Sequence, residues 1–70
     1  MYEHPLVSIA IITYNQEDYI ADAIESVLSQ DYPNYEIIVA DDGSTDDTPR
    51  ILKRYNEKYP EIVKPVLSDE

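Results

Sequence analysis

The chain has no cysteine, a single glycine, and only 5 basic residues against 15 acidic ones in 70 positions. Without cysteine, disulfides and thiolate metal sites are excluded, and a reducing, cytoplasmic setting is expected. The scarcity of basic residues, a formal charge of −10, argues against a nucleic-acid binder, which needs a cationic face to meet phosphates. It equally disfavours docking on an anionic membrane surface. No apolar run approaches the roughly 18 residues needed to span a bilayer. Met1-Tyr2-Glu3-His4 is neither basic nor apolar, so no secretory signal is expected. The sequence lacks G-x-G-x-x-G and G-x-x-x-x-G-K-[ST], which removes support for dinucleotide and P-loop sites. A single histidine, His4, excludes His-rich metal sites and any Ser-His-Asp set around Ser44.

What is present is a foldable chain. At 43% apolar residues it is not disordered by composition. Its length allows one small domain, which would bury only about 60% of its unfolded surface. Leu6 to Ile12 is a β-branched, nearly continuous apolar run, the pattern of a buried strand. Thr13-Tyr14-Asn15 breaks it, with Asn15 a candidate helix cap and Asp18 a weaker form of the capping box. Ile20, Ala23, Ile24, Val27 and Leu28 then follow helical spacing, and Asp31-Tyr32-Pro33-Asn34 is turn chemistry.

Glu36 to Ala40 forms a second buried strand, stopped by Asp41-Asp42-Gly43-Ser44. A second helix is expected from Thr48 as N-cap, with Pro49 at its first position and Ile51, Leu52, Tyr55 and Tyr59 on one face. Ile62 to Leu67 is a third strand, with Pro65 awkward inside it. The order βαβαβ implies a parallel sheet with right-handed crossovers, and hence both helices on one face. Yet Ala10 and Ile12, and likewise Ile38 and Ala40, make the other face apolar too, and buried parallel strands need cover on both sides. The chain is therefore expected to be the N-terminal part of a larger domain, or to have that face covered by a partner.

In open α/β sheets ligands bind beyond the carboxyl ends of the strands. Those ends carry Thr13-Tyr14-Asn15 and Asp41-Asp42-Gly43 on strands expected to be neighbours. Tyr14 alone is a packing residue and Asp-Asp-Gly alone a turn. Placed side by side they suit a nucleobase: the ring offers a stacking face, and Asp41 or Asp42 can accept a ring N–H. Gly43 permits a positive φ or a close approach to ligand. Asp46 and Asp47 fit the start of a helix better than a ligand site, and Tyr19, Tyr32 and Tyr35 are packing or turn residues.

Four linked stretches, Val7 to Asn15, Ala23 to Gln30, Tyr32 to Val39 and Asp41 to Thr48, together resemble the start of a family 2 glycosyltransferase with the GT-A fold. The resemblance implies a three-stranded parallel βαβαβ segment of a Rossmann-like nucleotide-diphospho-sugar transferase domain, incomplete, with residues 1–70 forming its N-terminal part. It implies transfer of a sugar from a nucleotide-diphosphate donor, a UDP-sugar, to an acceptor sugar, lipid or polysaccharide, with inversion and with Mn²⁺ or Mg²⁺. By this resemblance Thr13, Tyr14, Asn15, Asp41, Asp42 and Gly43 line the nucleoside pocket. Ile12 and Gln16 stand where family members often have proline and glutamate. No two of the eight aspartates are spaced as Asp-x-Asp, so the metal ligands and the catalytic base are expected outside the segment. The segment alone is expected to be inactive, in the cytoplasm or at the cytoplasmic membrane face through other parts of the protein. The alternative is a stand-alone, non-catalytic binding module that self-associates through its uncovered sheet face.

Overall fold

The computed structural model describes residues 5–68. The expectations for His4 and for Asp69-Glu70 lie outside them. Five elements follow in the expected order: β1 (Val7–Thr13), α1 (Ile20–Leu28), β2 (Tyr35–Asp41), α2 (Thr48–Lys58) and β3 (Val63–Leu67). The strands pair in parallel in the order β1-β2-β3.

Both helices lie on one face, because the apolar residues of α1 and α2 have one place to go. Ile20 and Ile24 of α1, one turn apart, and Leu52 of α2 form the buried core with Ile37 and Val39 of β2 and Val63 of β3. Tyr55 fastens the helices to each other, its hydroxyl donating to Glu25 at 2.7 Å. Tyr32 and Tyr35 meet edge to face at 5.7 Å, closing the turn into β2.

Two helix starts differ from expectation. Tyr19 precedes α1 with no side-chain cap; Gln16 instead offers its carbonyl to the N–H groups of Tyr19 and Ile20. Asn15 is too far upstream to cap. Thr48 is the first residue of α2 rather than its cap, and Asp46 accepts the Thr48 N–H at 2.9 Å. Pro49 therefore falls one place later than expected, second in the helix, still within the first turn where its missing N–H costs nothing. Pro65 is accommodated by edge geometry. Ile62 accepts from Ile37 and Ser68 donates to Asp41, so alternation turns the Pro65 nitrogen to the outer edge, where no donor is needed.

The second face of the sheet is bare, as the apolar alternation predicts. Ile12 is 84% exposed and Val66 57%. That face is not uniformly apolar, however. At its lower end Ser8 donates to Glu36 and Lys64 pairs with the same carboxylate at 2.9 Å. The Ser8 hydroxyl, then Lys64, hold the Glu36 carboxyl below its usual range. Among the described residues no helix is long and apolar enough to cross a membrane.

Burial, then the Glu25 carboxylate, push the Tyr55 hydroxyl from its ordinary 10 to about 12. The protonated form is thus favoured by folding. Its contribution to stability is complete below about pH 10 and is lost as pH rises towards about 12. Melting temperatures taken from pH 9.5 to 11.5 should therefore fall more steeply for the wild type than for Tyr55→Phe. At neutral pH that variant should be less stable by about 1 kcal/mol. Parallel alkaline curves would contradict the assignment.

Candidate functional site

The site is set by register. Thr13 at the end of β1 pairs with Asp41 at the end of β2, and the ladder continues one step as the Asp42 N–H donates to the Thr13 carbonyl at 3.0 Å. The β1–α1 and β2–α2 loops therefore leave the sheet at the same level, side by side.

Asp41 falls on the helix side of β2, 3% exposed. Its carboxylate accepts the Ser44 N–H at 3.0 Å and the Ser44 hydroxyl. This is an Asx-type turn in which the acid organises its own loop. Gly43 makes it possible at φ 75°, a conformation costly for any residue with a Cβ. Ser44 passes the connection on, its oxygen accepting the Asn15 N–H at 2.7 Å.

Further bonds join the two loops. Asn15 Oδ1 accepts the N–H of Thr45 at 2.8 Å and of Asp46 at 3.3 Å. The Gln16 N–H reaches the fully buried Thr48 hydroxyl at 3.0 Å. Glu17 and Asp46 exchange bonds, each carboxylate taking a backbone N–H from the other loop, Glu17 N–H to Asp46 and Asp47 N–H to Glu17. Partial desolvation opposes charge on Asp46. The Thr48 hydroxyl and the N–H groups of Thr48 and Glu17 outweigh it, holding that carboxyl below its usual range. Asp47 pairs with Arg50 at 3.2 Å.

Of the four acids from Asp41 to Asp47, Asp42 alone has no side-chain partner among the described residues. Alternation places it with Ala40 on the bare side of the sheet. There Ile12, Ala40, Val66 and Leu67 line a concavity of about 280 Å³ with Asp41, Asp42 and Ser68 at its rim. An apolar floor with one unpartnered carboxylate can hold a flat heterocycle and accept its N–H. A second concavity of about 400 Å³ shares Asp41, Leu67 and Ser68 with the first and is lined further by Gly43, Ser44, Thr45 and Pro49.

Of the residues expected at the site, Thr13, Asn15, Asp41, Asp42 and Gly43 are thus drawn together. Tyr14 is 54% exposed and lines neither concavity. The Thr13 hydroxyl is buried with no hydrogen-bond partner. Ser44, Thr48 and Glu17, which are not among the expected site residues, carry the loop connection. Ser44 was detectable, standing three residues after Asp41 in an Asx-turn setting. No group of three or more His, Asp or Glu among the described residues could hold a metal ion, so these residues do not fit a metal centre.

The parallel βαβαβ arrangement, with a concavity at its strand ends, defines a partial α/β domain. The family model described as glycosyl transferase family 2 matches residues 8–69, and the chain belongs to that family. Its architecture is consistent with part of a GT-A domain. The chain is similar to a Bacillus subtilis protein named as the glycosyltransferase EpsE, at 47% identity over 91% of this chain and 23% of that protein. It is similar to TuaG of the same organism, named as a teichuronic acid biosynthesis glycosyltransferase, at 47% over 94% of this chain and 26% of that protein. An uncharacterized protein of Mycobacterium tuberculosis is 46% identical over 87% of this chain and 18% of that protein. The chain thus spans about a quarter or less of these relatives.

Ser44→Ala should leave the buried Asp41 carboxylate one donor short and free the Asn15 N–H. We expect a loss of about 1–3 kcal/mol in urea unfolding. A change within error would show that the Asp41–Ser44 turn does not hold the loop.

Proposed function

We propose that residues 1–70 are the N-terminal part of a single glycosyltransferase domain and form the nucleoside half of its donor site. The observation that supports this reading is the Asp42 carboxylate, unpartnered among the described residues and set at the rim of an apolar concavity at the strand ends. Asp42 accepts the base N–H, a uracil in this reading, and Ile12, Ala40 and Val66 lie beneath the ring. Tyr14, exposed beside the same strand ends, supplies a stacking face on ligand binding. Asp41 and Gly43 shape the loop that presents Asp42, and Thr13 ends the strand beneath it.

In the whole protein an acceptor hydroxyl, on a sugar, lipid or polysaccharide, attacks the donor's anomeric carbon with inversion. The bond to the diphosphate breaks in that step. No residue of this segment is assigned to the proton transfer. Family 2 enzymes are generally metal-dependent, and a Mn²⁺ or Mg²⁺ ion in this reading has its ligands outside the described residues. The absence of cysteine suits a cytoplasmic setting.

Calorimetric titration of the full-length protein with UDP and Mn²⁺ tests the reading. Asp42→Ala should weaken binding about tenfold or more, the loss of one hydrogen bond to a charged group. Tyr14→Ala should weaken it by a similar factor through lost stacking. Unchanged affinity in both variants would remove the pocket.

The bare sheet face supports a second reading, a stand-alone module that self-associates there, with Ile12 and Val66 at the contact. Light scattering of the 70-residue chain separates the two. A stable, well-folded dimer favours the module, and aggregation or partial unfolding favours a domain segment.

A further inference from the structure

Asn15 is the one non-glycine residue with a positive φ among the described residues, at 50°. Asparagine tolerates that conformation better than most side chains, because its short amide can bond locally. Here the amide reaches further, across to the next loop. Its Oδ1 receives the N–H groups of Thr45 and Asp46, and its own N–H goes to Ser44. The acceptor side of the amide is therefore occupied within the protein, and the Nδ2 side has no partner among the described residues. The residues it holds, Ser44 to Asp46, follow Asp42 and Gly43 in the chain, and on the other side Asp42 is tied to the sheet through its N–H to the Thr13 carbonyl.

We propose that Asn15 is a positioning residue: its backbone twist and Oδ1 together lock the β2–α2 loop to the β1–α1 loop, and it acts on the nucleoside through Asp42 rather than by touching it. This rests on the proposed nucleoside site, and it reassigns one residue of that site. Without the clamp the loop samples other positions. Apparent affinity then falls by the fraction of molecules that hold the competent one.

Three variants separate the components. Asn15→Asp keeps the acceptor and tolerates the backbone twist but removes both Nδ2 donors. Asn15→Gly keeps the twist and loses the acceptor. Asn15→Ala loses both. Uridine is the probe, since it carries no phosphate to repel the added charge of Asp. It is titrated into the ¹⁵N-labelled full-length protein and followed by amide shifts. We expect Asp to bind within about threefold of wild type, and Gly and Ala to bind about tenfold more weakly. Binding by Asp as weak as that by Ala would overturn the proposal in favour of direct contact through Nδ2. Wild-type binding by Gly would overturn it by showing that the acceptor is dispensable.

Amide hydrogen exchange without ligand supplies a second readout. In Gly and Ala the Thr45 and Asp46 amides should lose protection while those of Ile37 and Val39 keep it. Unchanged protection at Thr45 and Asp46 would overturn the clamp. If wild type shows no uridine binding, the nucleoside reading fails, and with it Asn15's role towards Asp42. The exchange pattern then still decides separately whether the clamp between the loops exists.

Discussion

Everything at the candidate site depends on the pairing of Thr13 with Asp41. Parallel strands joined by a crossover helix end at the same level of the sheet. Loops that follow paired residues therefore emerge as neighbours although some 30 positions separate them. A slip of one residue would be costly on both faces at once, because side chains alternate. Ile37 and Val39 would leave the core, and Asp41 would swing out to the bare side. The buried apolar side chains under the helices thus also set the chemistry at the top of the strands. Packing selects the register, the register aligns the loops, and the hydrogen bonds between the loops become possible only then.

The same alignment explains how so acidic a chain tolerates a cluster of carboxylates at one end. Asp41 is turned inward onto Ser44, Asp46 onto the N–H groups of Thr48 and Glu17, and Asp47 onto Arg50. Backbone N–H groups at the start of a helix carry partial positive charge, so acids there are stabilised rather than stacked against one another. Glu17 takes part from the opposite loop by receiving the Asp47 N–H. What stands out is therefore not the number of acids but the single one left over. Asp42 differs from its neighbour Asp41 by one position in an alternating strand, which sends one carboxylate into the structure and the other towards solvent.

Much of the fold was legible in the residues, and the reason is local. Apolar runs and 3.6-residue spacing mark strands and helices because each element must bury one side, and Pro49 marks a helix start because its missing N–H costs nothing there. The bare face was legible from alternation in β1 and β2. What was not legible depends on partners distant in sequence. Asn15 followed by Asp18 has the pattern of a cap, yet its amide is drawn to Thr45 and Asp46, which no local pattern reveals. Asp41 and Asp42 were equivalent as letters, and only the facing of β2 tells them apart. The row of Ser8, Glu36 and Lys64 is invisible in the sequence for the same reason, since three strands must align before it exists.

That row gives the lower end of the bare face requirements different from those of the upper end. The lower end satisfies its own polar groups. The upper end, with Ile12, Ala40 and Val66, leaves apolar surface in water, and that surface is also the floor of the concavity beside Asp42. Whatever buries Ile12 and Val66 must therefore pass over or beside the candidate site. Burial there would also lower the local dielectric around Asp42 and strengthen any hydrogen bond the carboxylate accepts. Covering the sheet and completing the pocket are then one structural event, whether the cover comes from the rest of a domain or from a second copy. In either case the cover and the ligand must divide the surface of Ile12, Ala40 and Val66 between them, because a side chain packed under protein cannot also lie beneath the ring.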